Sequence, residues 1–154
     1  MRKHFRKLFK YNNWANQKYL ICLEQEDLKS ERAIELYGHI ISAQIIWLLR
    51  IKGLPTSPFP IWEKYKIREL KTMTEESMEN WLDYMEEHRF ETFEEMVFYT
   101  NSKGKKYENT IGEIITHVIT HGTYHRAQLA QLFRQAGLEP PRTDFIAFAR
   151  EPQL

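Results

Sequence analysis

Between Ile111 and Arg134 the chain reads IGEIITHVITHGTYHRAQLAQLFR, and three of its six histidines, His117, His121 and His125, recur there at intervals of four. On a helix that spacing stacks side chains on adjoining turns of one face. Ile111, Ile114, Ile115, Val118, Leu129 and Leu132 occupy the same half of the helix, which predicts imidazoles inside a bundle rather than on a wet surface. A buried imidazole needs a hydrogen-bond partner or a metal ion.

Geometry narrows the choice of partner. His117 and His125 stand two four-residue steps apart, about 12 Å along an axis rising about 1.5 Å per residue. Two imidazoles sharing an ion span at most about 11 Å between their Cβ atoms, given bonds of about 2 Å. One ion can therefore take His117 with His121 or His121 with His125, and any further protein ligand must come from another helix. A zinc protease of the His-Glu-x-x-His type is excluded, because Gly122 follows His121 where the catalytic glutamate would stand.

The elements that must position these rings follow from periodicity. Residues from about 4 to 26 carry Phe5, Leu8, Phe9, Trp14, Tyr19, Leu20 and Leu23 at helical intervals, with the basic cluster Arg2, Lys3, Arg6, Lys7 and Lys10 as a solvated face. Ser30 caps a second helix, which runs through Leu36, Ile40, Ala43, Ile46, Trp47 and Leu49 until Gly53 and Pro55 stop it. His39 lies inside its apolar stripe; taken alone it reads as a satisfied core residue.

From Gly53 to about Thr74, three prolines and the lack of a sustained period predict a long crossover, pinned by Phe59 and Trp62. A third helix is expected from a cap at Thr74 through Met78, Trp81, Leu82 and Met85 to an exposed His88 outside any site. Residues 93–110 read as a small hairpin turning at Gly104. The fourth helix ends at Gly137, and the tail, with Asp144 ahead of an apolar turn, is expected to pack back on the bundle.

Composition sets the remaining bounds. The 154 residues, 42% apolar and 14% aromatic, suit one domain, 1–154, with a single sizeable core. A net charge of +1 gives no basic footprint for nucleic acid. Cys22, the one cysteine, cannot form an intrachain disulfide and fits a reducing cytoplasm. No signal peptide is legible, and the most apolar run, Ile40 to Leu49, is too short to span a bilayer, so no membrane role is expected.

His39 on helix two and the His121/His125 pair on helix four can meet in one core. Three neutral imidazoles from two helices would leave a divalent ion with open positions for water or substrate. Imidazole suits zinc, nickel, copper and iron; zinc or nickel is the expected ion.

The segments YNNWANQKYL, YGHIISAQIIWLLRIKG, NSKGKKYENTIGEII and HVITHGTYHRAQLAQLFRQAGLEPPRTDF occur in that order over nearly the whole chain. Together they resemble the DinB/YfiT-like superfamily of metalloenzymes, and closely its DinB branch. The resemblance implies an all-α four-helix bundle of up-down-down-up topology, in keeping with the long crossover between helices two and three, and a homodimer. It places the metal triad on His39, His121 and His125, which resolves the choice that spacing leaves open and makes His117 a core or supporting residue.

Related mycothiol-dependent isomerases resemble this site but carry a glutamate at the position of His121. The all-histidine set is more positive and better suited to an anionic or thiolate ligand. Another branch resembles bacillithiol S-transferases. The resulting expectation is a metal-dependent enzyme, S-transferase-like or hydrolase-like, taking a low-molecular-weight thiol or other small molecule. The alternative is a non-catalytic metal-holding stress-response protein. Gln128, three residues past His125, is expected to reach the site, and Arg126 to face a neighbouring helix or the opposite subunit. No Asp or Glu stands at triad spacing on helix four, and Glu113 is two turns before His121.

Overall fold

Four long helices carry most of the chain: α1 (Arg2–Glu24), α2 (Glu31–Ile51), α3 (Ile67–Glu87) and α4 (Ile111–Gln135). A hairpin of β1 (Met96–Thr100) and β2 (Lys106–Thr110) precedes α4, and a short α5 (Phe145–Arg150) follows it. The computed structural model describes residues 2–25, 30–56, 60–88, 93–101 and 103–150. Phe59, expected to pin the crossover, and the expected end of helix one at residue 26 lie outside them.

Local chemistry sets the helix ends. The Ser30 hydroxyl accepts the Ala33 N–H at 3.2 Å, taking up one of the first-turn donors that α2 leaves without intrahelical partners. At α4 the exchange is reciprocal: Thr110 Oγ1 accepts from Glu113 N at 3.1 Å while Glu113 Oε2 accepts from Thr110 N at 2.9 Å. The hairpin pairs antiparallel in the register Met96↔Thr110 to Thr100↔Lys106, and Gly104 turns it at a φ of +77°.

Helix three begins earlier than its sequence predicts. Its first residue is Ile67, where Glu69 Oε2 accepts the Lys66 N–H at 2.7 Å, so the crossover ends near residue 66. Thr74 is no cap; it is 1% exposed in mid-helix, donates to the Leu70 carbonyl at 2.6 Å and meets the Tyr37 hydroxyl at 3.1 Å. Small hydroxyls at Thr74 and Ser77 on the buried face interrupt the apolar stripe on which a period-based reading depends.

Each of α1 and α2 packs against both α3 and α4. Two large apolar clusters fill the bundle, beside a small third one of Tyr11, Ala15 and Phe148. One gathers Phe9, Leu48, Trp81, Met85, Ile115 and Val118; the other gathers Tyr19, Ile40, Leu70, Leu129 and Phe133. Along the helices a buried polar layer intervenes: Asn12 and Asn16 of α1, Gln44 of α2, Ser77 of α3 and Arg126 of α4. Gln44 Oε1 accepts from both Asn12 (2.7 Å) and Asn16 (2.9 Å), and its amide donates to Ser77 Oγ at 3.2 Å. Arg126 Nη1 donates to both asparagine carbonyls at 2.7 Å. Satisfied in this way, a polar layer fixes helix register without orphaned groups.

Helix α2 is by length and composition apolar enough to cross a bilayer, which the shorter run Ile40 to Leu49 does not suggest. Here 56% of its apolar window is buried against neighbouring elements, as befits a core helix. The tail does pack back: Phe148 is 5% exposed and sits against Tyr11 and Trp14.

Candidate metal centre

His39 from the middle of α2 and His121 and His125 from α4 bring their rings together, with centroids 4.5 to 4.9 Å apart. One nitrogen from each lies within 4.8 Å of those of the other two. His39 and His125 are buried, at 8% and 9% exposure, and His121 is half-buried. Among the described residues no carboxylate or thiol joins the group.

The outer nitrogens are tied down. His39 Nδ1 is 2.9 Å from the Ile61 carbonyl, and His125 Nδ1 is 2.8 Å from Gln128 Oε1. A carbonyl oxygen can only accept, so each Nδ1 carries the proton and donates it, and each Nε2 keeps its lone pair. His39 Nε2 then meets His121 Nε2 at 3.1 Å. Nitrogen ligands at about 2.0 Å from a shared tetrahedral ion stand about 3.3 Å apart. The three imidazoles therefore fit a divalent transition metal in donor type, His39 and His125 also in tautomer, and the His39/His121 pair in spacing.

Electrostatics favour the same chemistry. Burial, and then the neighbouring His125, His39 and His117 rings, push the His121 pKa down to about 3. Burial also lowers that of His39, against the opposing hydrogen bond to Ile61. Imidazoles held neutral compete with protons for little and offer their lone pairs to a cation.

The α2–α3 crossover closes one side. Trp62 stacks on His39 at 3.9 Å with the planes 2° apart, and the Arg32 guanidinium lies 4.9 Å from the Trp62 ring. Gly38 lets the same crossover approach α2, since a Cβ there would lie 2.8 Å from Tyr65 Cδ2. The Tyr65 hydroxyl lies 3.2 Å from Ser42 Oγ.

Among the expected site residues, the structure gathers His39, His121 and His125, and Gln128 reaches the site through His125. His117 is left out and is exposed rather than core, with its ring edge-on to Trp47 at 5.1 Å. Arg126 turns away into the polar layer of α1. Tyr124 is 63% exposed beside His125, and His88 stacks on Tyr84 at the end of α3, outside the site as expected. The Ile61 carbonyl and the contact of Trp62 with His39 were not legible beforehand; an aromatic residue just after the crossover's proline cluster was their one trace.

The fold and site define a mostly helical protein with a small two-stranded sheet and a histidine cluster able to hold a metal ion. The DinB family model matches residues 1–153, and the chain belongs to that family. It is similar to protein DinB of Bacillus subtilis (strain 168), 24% identical over 90% of each chain. It is likewise similar to the uncharacterized protein YizA of the same organism, 27% identical over 95% of this chain and 96% of that one. A crystal structure of a DinB-like protein from Bacillus cereus ATCC 10987 superposes with a TM-score of 0.60 at 22% identity, covering 91% of this chain and 95% of that one. That likeness supports the fold.

Proposed function

We propose that His39, His121 and His125 bind a divalent transition metal, zinc or nickel, through their inward nitrogens, and that the protein is a metal-dependent enzyme acting on a small molecule. The observation that carries this reading is the pair of Nδ1–H tethers, to Ile61 and Gln128, which leave the Nε2 lone pairs of His39 and His125 free, with His39 Nε2 3.1 Å from His121 Nε2. When bound, such an ion lowers the pKa of a coordinated water or thiol toward neutrality. The protein's part is to hold the three rings, orient them through their outer hydrogen bonds and cover His39 with Trp62. With no carboxylate in the cluster among the described residues to act as a general base, thiol S-transfer, in which a thiolate displaces a leaving group from an electrophile, fits better than base-assisted hydrolysis.

Metal analysis of the purified protein, with conjugation of a low-molecular-weight thiol to an electrophile by the metal-loaded protein and by His125→Ala, tests the reading. The expected result is near one equivalent of metal and turnover lost in the variant. Metal bound with equal rates from both proteins points instead to a metal-holding protein without turnover.

The same reading takes the whole chain as one up-down-down-up bundle. Its support is the order of the two apolar clusters: Phe9 precedes Tyr19 on α1 and Val118 precedes Leu129 on α4, whereas Ile40 precedes Leu48 on α2 and Leu70 precedes Trp81 on α3. A homodimer in a reducing cytoplasm, without nucleic-acid or membrane partners, completes the proposal.

A further inference from the structure

A cavity of about 590 Å³ opens between α1, α4 and the returning tail, and none of the three clustered imidazoles lines it. Arg126, Arg134 and Arg142 all do. Arg126 is 2% exposed, and its partners Asn12, Asn16, Thr123 and the Tyr11 ring are all neutral. Among the described residues none of the three guanidiniums has a carboxylate within ion-pair distance. A buried cation with only neutral partners is costly, and the cost falls when an anion enters its field.

A second observation points into the same space. Tyr19, 2% exposed, lines the same cavity in the field of Arg126 and Arg134, and among the described residues no hydrogen bond occupies its hydroxyl. Glu139 and Asp144 also line the cavity, so its charge is one net positive, three guanidiniums against two carboxylates. That balance favours a single oxyanion on a body carrying hydroxyls or an amine over a polyanion.

We propose that this cavity binds a small organic molecule through one phosphate or carboxylate group, held by Arg134, Arg142 and the Tyr19 hydroxyl in the field of Arg126. The volume suits such a ligand, since small-molecule sites run from about 300 to 1,000 Å³. The site is independent of the metal centre, although Arg126 follows His125 directly in the chain.

Calorimetric titration of the metal-free protein with inorganic phosphate, glucose 6-phosphate and gluconate tests this, the last two separating phosphate from carboxylate. Binding of at least one of the three is expected. It should weaken about tenfold or more in R134Q/R142Q, both exposed positions that leave the core untouched, and severalfold in Tyr19→Phe, while His125→Ala leaves it unchanged. Absence of binding by all three at millimolar concentration overturns the proposal. So does equal affinity in wild type and the arginine variant, or loss of binding in an equal concentration of sodium chloride, which would mark charge screening alone.

Discussion

Trp62 lies flat on the His39 ring, 3.9 Å away and 2° from parallel, while the carbonyl of the preceding Ile61 takes the His39 Nδ1 proton. Two consecutive crossover residues thus set the plane and the tautomer of a ring on α2. Trp62→Ala should free that ring and weaken zinc binding about tenfold, as loss of an outer contact to a metal ligand commonly does, whereas Trp62→Phe keeps most of the affinity. Competition with a chromophoric chelator measures it; unchanged affinity in the alanine variant would refute the positioning role.

Gln128→Leu removes the acceptor for His125 Nδ1, 2.8 Å away, at a half-buried position. Metal affinity should fall about 10- to 100-fold with little change in the melting temperature of the metal-free protein. Gln128→Glu, which restores an acceptor and adds charge, should recover it. A variant that melts lower but binds metal as wild type would assign Gln128 to packing.

Acid should destabilise the metal-free protein through His121. Its folded pKa is about 3 against an ordinary 6.5, so between these values the unfolded chain holds more protons than the folded one. The stabilising contribution is complete above pH 6.5 and is lost as pH falls toward 3. His39, also lowered, has the same sign. Urea midpoints of the EDTA-treated protein should fall from about pH 7 to about pH 4.5, more steeply than those of His121→Gln. Parallel curves for the two proteins would remove His121 as the cause.

Gly122 lets α4 come close to α1. A Cβ there would meet Asn12 Oδ1 at 2.6 Å and Arg126 Nη1 at 2.9 Å, both members of the buried polar layer. Gly122→Ala should cost about 2 to 3 kcal/mol through overpacking and disturbed hydrogen bonds, despite alanine's better helix propensity. Gly53→Ala, at a φ of +65° with nothing within 4 Å, should cost only its backbone strain, about 1 kcal/mol. Urea denaturation orders the two, and the reverse order would defeat the argument.

What could be read along the chain was what short-range physics controls. The Ser30 cap, the hairpin turning at Gly104, the stop at Gly137 and the stacking of His121 on His125 depend on residues within a turn or two of one another, so their signals survive in a bare string of letters. Spacing alone left His121 free to pair with His117 or His125; resemblance made the choice, and the tertiary structure gathers His125 and leaves His117 exposed. Helical period specifies a face but not the neighbour that face will meet. The start of α3 was hidden because buried Thr74 and Ser77 look polar until Tyr37 and Gln44 arrive as partners. Only the folded chain could bring Ile61 and Trp62 to His39, or carry Arg126 into the asparagines of α1, because those partners lie far along the sequence and no local pattern encodes the meeting.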